Sequence, residues 1–380
     1  MGSVKSLRRL AAIALVLASA CGELRRAAEA PTLPVASSRS AGGHVAAPLL
    51  ADTPEVAIAP PYEPAAPGLS PSVADLPARV YVPNERSASV SVIDPETYQV
   101  VGRIKVGTYP QHVTPGWDLT RLYVNDAALT ELDARTGAVM GTIKVAMPYN
   151  LYFSLDGSKA IVVAEDLNRL DFYERTTWKL IKSVPIPWPG IDHLDMSADG
   201  SYLIATTEYS GRVVKVDVNA MALVGSLVVG GLPIDVKLAP AGDVFYVTNQ
   251  SRHGVSLVDG AALREVGFIH TGRGAHGLTV SRDGTRLYVS NRLAGTISVI
   301  DLASRKVVGN WAVGGSPDML TLSADGRRLW TGNRFGSTVT VIDTTSGEVV
   351  RTIPVESAPH GLTFFPQPGR VSIGHNGVYR

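Results

Sequence analysis

The stretch GAHGLTVSRDGTRLYVSN, residues 274–291, holds a histidine and an Asp-Gly pair between two runs of alternating apolar residues. Alternation at a period of two predicts β-strands, and Asp-Gly between two such runs predicts a tight turn. The second of these strands recurs along the chain at intervals of about 42 residues, which is the mark of a repeat architecture. Its seven copies are centred on Tyr81, Tyr123, Ile161, Leu203, Tyr246, Tyr288 and Trp330.

Each copy is followed by further alternating strands, so that one period contains four short strands. Four strands in about 42 residues match one blade of a propeller, and seven copies predict an all-β, seven-bladed β-propeller of four-stranded antiparallel blades. The first blade lacks its innermost strand, whereas the C-terminus supplies a surplus copy, PHGLTFF at 359–365. We expect this C-terminal strand to complete blade 1 and close the ring, which leaves no open sheet edge. The final residues, 370–380, are expected to cap one face.

The sequence FYVTNQS at 245–251 contains Tyr246-Val247-Thr248-Asn249. This tetrapeptide resembles the signature of the YVTN-repeat, YncE-like β-propellers of the bacterial surface and periplasm, and the resemblance extends from Arg79 to the C-terminus. It implies the propeller fold and an extracytoplasmic location. It implies no particular ligand, because members of one fold family bind different molecules. Blades 3 and 4 depart from the signature, with Val163-Ala164-Glu165 and Thr206-Thr207-Glu208 where an asparagine is expected.

The N-terminal 21 residues read as an export signal. Basic residues precede an apolar stretch that is too short to span a bilayer, and Ala18-Ser19-Ala20 then precedes Cys21. Small residues before a lone cysteine resemble a bacterial lipobox, so we expect Cys21 to be lipidated and to anchor the protein in a membrane. The same tripeptide satisfies the A-x-A cleavage rule, so plain secretion is the alternative. Both routes place the mature protein outside the cytoplasm, facing the periplasm or the cell exterior.

Residues 22–78 are rich in alanine, proline and serine and show no apolar periodicity. Such a segment has little to bury and favours extended backbone, so it is predicted to be a disordered tether. Residues 79–380 then form the propeller. With one cysteine in the whole chain, no intramolecular disulfide stabilises it. The net charge of +1, with charges interspersed, gives no support for nucleic-acid binding, and we expect a monomer.

Two polar positions that recur in the repeat are predicted to be structural. Carboxylates that close the third strand of each blade are expected to accept hydrogen bonds from the following turn, and asparagines that end the second strand are expected to bond the backbone. The carboxylates are Asp94, Asp133, Glu174, Asp217, Asp259, Asp301 and Asp343, and the asparagines are Asn84, Asn125, Asn249, Asn291 and Asn333.

Other polar residues gather on one face of the predicted ring. This face, which we call the rim face, carries the loop into each innermost strand and the loop after each YVTN-type strand; the opposite one, with the Asp-Gly turns, is the turn face. Imidazoles, carboxylates and guanidinium groups there suit a small polar ligand. The residues predicted to bind a ligand are His112, His193, Asp235, His276, Asp318, His360, Glu165, Glu208, Arg292 and Arg334.

Strand register divides the polar residues at the starts of the innermost strands into two arcs of the ring. Counted back from the turns, Asp192, His276, Asp318 and His360 share one position, while His112, Asn150, His193 and Asp235 share the next. Histidine and carboxylate together are ligands for a divalent transition metal. The first set, Asp192, His276, Asp318 and His360, is therefore the predicted metal site.

Two functions remain open at this point. One is a binding or scaffold module that holds a small ligand, an envelope polymer or an envelope protein on its rim face. The other is a metal-dependent enzyme of the lyase or hydrolase type, with the metal at the same channel mouth. The sequence contains no G-x-S-x-G elbow, P-loop or CxxCH haem motif, so no catalytic residue is assigned.

Overall fold

The computed structural model describes residues 68–375 of the 380-residue chain. The predicted signal, Cys21 with its predicted lipidation, the predicted tether as far as residue 67 and the last five residues lie outside this range. Residues 68–78, assigned to the tether, pack on the propeller. Val73 is buried with Leu119 and Phe365, and Leu69 forms bridges to Pro368 and Gly369.

Between residues 68 and 375 the strands form seven sheets, each of four antiparallel strands. Strands β1 to β14 are β1 (Arg79–Asn84), β2 (Ser89–Asp94), β3 (Gln99–Lys105), β4 (His112–Pro115), β5 (Arg121–Asn125), β6 (Leu129–Asp133), β7 (Val139–Ile143), β8 (Asn150–Phe153), β9 (Lys159–Ala164), β10 (Arg169–Glu174), β11 (Leu180–Pro185), β12 (Ile191–Met196), β13 (Tyr202–Thr207) and β14 (Arg212–Asp217).

The second half of the ring repeats the same order. Its strands are β15 (Ala222–Val228), β16 (Pro233–Leu238), β17 (Phe245–Asn249), β18 (Gly254–Asp259), β19 (Arg264–His270), β20 (Ala275–Val280), β21 (Arg286–Asn291), β22 (Thr296–Asp301), β23 (Lys306–Ala312), β24 (Pro317–Leu322), β25 (Arg328–Asn333), β26 (Thr338–Asp343), β27 (Val349–Pro354) and β28 (Thr363–Phe365). Two single 3-10 turns, Glu165–Leu167 and Glu208–Ser210, follow β9 and β13.

Blade 1 consists of β28, β1, β2 and β3 in that order, which confirms the predicted ring closure. Val80 pairs with Phe364 and Tyr81 with Thr363, so the last strand of the chain lies beside the first. Blades 2 to 7 each use four consecutive strands, beginning at β4, β8, β12, β16, β20 and β24. The seven-bladed fold predicted from the repeat is therefore present.

The core lies between neighbouring blades. The apolar residues of each second strand are buried on both faces, as in β17, where all five residues are buried. Outer strands alternate instead, as in β23, because one of their faces meets water. Trp330 in β25 is fully buried with Val80 and Phe364 of blade 1, so the same packing seals the closure. No helix among the described residues is long and apolar enough to cross a membrane.

The carboxylates predicted to bond the turns do so. Oδ1 of Asp217 accepts hydrogen bonds from the backbone N–H groups of Asn219 and Ala220, at 2.9 and 2.7 Å. Equivalent bonds reach Asp94, Asp133, Glu174, Asp259, Asp301 and Asp343. The asparagines are structural too, but most bond hydroxyl groups on the next strand rather than the backbone: Nδ2 of Asn291 donates to Thr296 and Ser298.

Candidate site in the propeller channel

The inner strands of blades 4 to 7 are irregular where they meet the rim face. Their pairing with the second strands shifts by one residue, between Ile191 and Leu194 in β12 and at matching places in β16, β20 and β24. A bulge of this kind breaks the strict alternation of side chains. Asp192 and His193, adjacent in sequence, are both buried and in contact as a result, with 2.8 Å between Oδ1 and Nδ1.

Asp318 is the hub of one polar network. Its carboxylate lies 2.6 Å from Nη2 of Arg292 and 2.9 Å from Nδ1 of His276, and more distantly 3.8 Å from Nη1 of Arg334 and 4.0 Å from Nε2 of His360. Burial alone would raise its pKa, but Arg292 and His276 hold the pKa of Asp318 well below its usual range. The buried carboxylate is thus ionised and surrounded by cationic groups or proton donors.

The same network reaches the channel mouth through Arg334. Its guanidinium donates to Glu85 of blade 1, which joins the last blade to the first across the ring closure. Arg334 and Glu85 keep side-chain exposures of 21% and 12%, whereas Asp318 has none.

Burial together with the charge of Arg292 lowers the pKa of His276 to about 4, so this imidazole is neutral at neutral pH.

A second cluster contains three imidazoles, from His112, His193 and His375. The ring centroids of His112 and His375 are 3.9 Å apart. The ring centroid of His193 lies 5.2 Å from that of His112 and 5.3 Å from that of His375. All three side chains are buried. Burial lowers the pKa of His112 and of His375 well below the usual value. Burial opposes protonation of His193 as well, but Asp192 raises the pKa of His193 to about 9.

The structure places the ten predicted ligand-binding residues unevenly. His112, His193, Asp235, His276, Asp318 and His360 are buried in the channel, and Arg292 and Arg334 lie close above them. Glu165 and Glu208 begin the two 3-10 turns on the rim face. Burial and the charge of Asp192 raise the pKa of Glu208 to about 7.

The predicted metal set is divided between the two clusters. His276, Asp318 and His360 come together, while Asp192 contacts His193 instead. The two arcs drawn from strand register also meet, because the rings of His112 and His360 are 4.8 Å apart. The metal assignment to Asp192, His276, Asp318 and His360 remains a prediction.

Sequence reasoning missed His375 as a member of the site. The segment before it does not cap a face: Ser372 N–H donates to Trp117 O on the turn face, and Phe153 N–H donates to Ile373 O inside the ring. Residues 372–375 therefore run along the inner strand of blade 3 into the channel. The one signal in the sequence was the alternation in VSIG, 371–374, after a ring that already had all its strands. Lys237, buried in β16, had no comparable signal.

These features define a seven-bladed β-propeller whose channel is filled by histidine and charged side chains. The sequence profile described as YNCE-like beta-propeller matches residues 44–368. The chain belongs to the YNCE-like β-propeller family, as the YVTN-type repeat predicted. No curated protein matches it.

Solved structures with the same fold include several of different described function. A periplasmic gluconolactonase of Pseudomonas aeruginosa, PpgL, is similar with 20% identity and a TM-score of 0.64, covering 77% of this chain and 99% of that one. A functionally unknown protein from Desulfotomaculum acetoxidans shares 17% identity with a TM-score of 0.66, over 75% and 98% of the two chains. Hydrazine synthase of Kuenenia stuttgartiensis shares 18% with a TM-score of 0.58, over 66% and 87%. At these identities the likeness shows the fold alone.

Proposed function

We propose that the protein is a binding module that takes a small ligand at the rim-face mouth of its channel. The observation that carries the proposal is the ion-pair network at the mouth, in which Arg334 joins Glu85 while Arg292 joins Asp318. Fixed charges of both signs that are mostly withdrawn from water interact strongly with a ligand, since few water molecules compete. A ligand that carries opposite charges, such as a zwitterion, a peptide or a sugar acid, matches this arrangement.

Apolar side chains around the mouth support a ligand with an apolar part. Five large ones on rim-face loops are exposed by 42 to 72%. Exposed side chains of this size that gather around one opening are typical of binding surfaces. They are Tyr109, Leu167, Tyr209, Leu293 and Phe335.

We further propose that the protein works outside the cytoplasm, anchored through a lipid on Cys21. The support is the sequence of residues 1–21. An envelope polymer or an envelope protein that presents the same charged groups would reach the rim face as a small ligand does. Incorporation of labelled palmitate into the wild-type chain, and its loss in Cys21→Ser, is the expected result. An unlabelled wild-type chain recovered in the culture medium would favour plain secretion.

A second candidate function is a metal-dependent enzyme of the hydrolase or lyase type. The observation that favours it is the convergence of His112, His193 and His375. A divalent ion held there would polarise a carbonyl or activate a bound water. Hydrolysis of lactones or esters by the metal-loaded full chain, lost after chelation, would support this candidate over a purely binding role.

The binding proposal is tested by a thermal-shift screen of the full chain against zwitterions, short peptides and sugar acids, with calorimetry on the hits. Arg334→Gln is expected to weaken binding at least tenfold, and Phe335→Ala to weaken it less. Arg305→Gln is the matched control, because Arg305 pairs with Asp243 on the turn face. Equal binding by Arg334→Gln and the wild type, or no hit from any of these compound classes, would contradict the proposal.

A further inference from the structure

We propose that His112, His193 and His375 form a transition-metal site in the centre of the channel, with the C-terminal segment supplying the third ligand. The site goes beyond the proposed binding at the mouth, since it uses neither Arg334 nor Asp318. It also differs from the ligand set predicted from strand register.

The spacing of the imidazoles fits one ion. One ligand nitrogen from each of the three residues lies within 4.8 Å of the other two. Around a tetrahedral ion with metal–nitrogen bonds near 2.1 Å, ligand nitrogens are about 3.4 Å apart. The distances between the three nitrogens therefore need to shorten by at most about 1.4 Å, which rotation about the side-chain torsions can supply.

The nitrogens of this cluster are uncommitted. Both ring nitrogens of His112 and of His375, and Nε2 of His193, have no hydrogen-bond partner within residues 68–375. Buried polar atoms in folded proteins nearly always have a partner, so this grouping calls for one. His360 differs, because its Nδ1 lies 3.0 Å from Gln111 O and shares a hydrogen bond with it.

Asp192 completes the surroundings of the cluster. Its carboxylate lies 2.8 Å from Nδ1 of His193, and Nε2 of the same ring has no hydrogen-bond partner among the described residues. A carboxylate on the far nitrogen of a ligating histidine is a common feature of metal sites. Asp192 and Asp235 are both buried, and both interact electrostatically with His193.

His375 reaches the cluster from outside the repeat. Its segment is held by backbone hydrogen bonds from Ser372 to Trp117 and to Ile373 from Phe153, and Gly374 forms a bridge to Tyr152. His375 lies outside the strands of the seven blades, so it can be changed without altering a residue of any blade. The imidazole of His112 packs closely against Gly361. A Cβ on Gly361 would lie 1.8 Å from Nδ1 of His112, so only glycine fits at position 361.

The donor set indicates the class of metal. Three imidazoles suit zinc, copper or nickel better than magnesium or calcium, which prefer oxygen ligands. Three protein ligands leave a coordination position for a water or a substrate atom, as in catalytic zinc sites. The ring of Tyr149 lies 5.2 Å from that of His112 and 5.6 Å from that of His193, so its side chain lines the same space.

The test is calorimetric titration of the chelator-treated full chain with zinc chloride, followed by titration with cobalt chloride and visible spectroscopy. The wild type is expected to bind one zinc ion per chain and to give the absorption bands of tetrahedral cobalt. His375→Ala should weaken zinc binding at least 100-fold and abolish these bands while the thermal melting of the blades is retained. His270→Ala, which removes an exposed histidine at the end of β19, is the matched control and should bind like the wild type.

Three results would overturn the proposal: no zinc bound by the wild type, unchanged binding by His375→Ala, or a cobalt spectrum without tetrahedral bands. If His375→Ala melts at a much lower temperature, His375→Asn keeps a polar side chain of similar reach, and the proposal predicts that it too loses zinc. Ligand binding at the mouth is measured separately on the same metal-free chain, so failure of the metal site and failure of the binding function are distinguishable.

Discussion

Acidic side chains on the turn face and in the channel of this propeller have different partners. On the turn face, Asp217 accepts two backbone hydrogen bonds from its own turn, and Asp283 accepts from Ser281, Thr285 and the backbone next to it. In the channel, Asp318 is surrounded by Arg292, Arg334 and two histidines, His276 of blade 6 and His360 of blade 1. The first kind of carboxylate is satisfied locally, whereas the second depends on residues far away in the sequence.

The difference separates the residues that build the blades from those that distinguish this protein. Turn-face acids recur in every blade because each turn needs the same acceptor. Channel residues change from blade to blade: the position of Asp318 in blade 7 holds His276 in blade 6 and Ile234 in blade 5. The residues that depart from the repeat at this position contact one another in the channel, as His276 and His360 contact Asp318.

The largest predicted effect is the loss of stability when Asp318 is replaced. Asp318→Asn keeps the shape of the side chain but removes the buried negative charge opposite Arg292 and Arg334. Removing one partner of a buried ion pair leaves an uncompensated charge, which typically lowers the free energy of unfolding by about 3–5 kcal/mol. Urea unfolding followed by tryptophan fluorescence measures it.

The double variant Asp318→Asn/Arg292→Gln is the control for this charge effect. The second change removes the cation that the first left unpaired. The double variant should therefore lose less free energy of unfolding than the sum of the losses in the two single variants. Fully additive losses, or a loss below about 1 kcal/mol for Asp318→Asn, well under the range for a broken buried pair, would contradict the account of the channel.

A smaller effect is expected on the turn face. Asp217→Ala removes the acceptor for two backbone N–H groups that then turn to water, so the free energy of unfolding should fall by about 1 kcal/mol. Asp217→Asn keeps one acceptor oxygen and should lose less. Zinc and ligand binding should match the wild type in both variants. A change in either binding constant would show that the two faces are not independent.

The smallest effect is a dependence on pH. Hydrogen bonds from the side chain of Thr177 and from the backbone of Thr176 lower the pKa of Glu174 from 4.5 to about 2. Because the folded pKa is the lower one, the stabilisation is complete above pH 4.5 and disappears as the pH falls toward 2. Glu174→Gln should therefore melt closer to the wild type at pH 2 than at pH 6. A constant difference in melting temperature across this range would exclude the assignment.

The fold was predictable because its signal is repeated. Seven copies of one strand at nearly constant spacing indicate seven blades, and the missing inner strand before Tyr81 together with the surplus copy at 359–365 predicts the closure by β28. The roles of the turn carboxylates followed from their position before each turn. In each case a local pattern, read many times, sets the structure.

The grouping of the channel residues was only partly predictable. Register arguments assume strict alternation, and the bulges in β12, β16, β20 and β24 remove it, so Asp192 contacts His193 rather than the set assigned to it. The path of residues 372–375 has no repeat to predict it. His375 therefore reached the site through tertiary packing against Phe153 and Trp117, which no single-sequence pattern encodes.

Anomalous diffraction at the zinc edge, from crystals of the full chain grown with zinc, tests the central claim that the non-repeated channel residues form a site. The predicted result is one strong peak within about 2.1 Å of a nitrogen of each of His112, His193 and His375. A peak at Asp318 with His276 and His360 would favour the site predicted from register. The absence of any peak in the channel would contradict the claim for metal altogether.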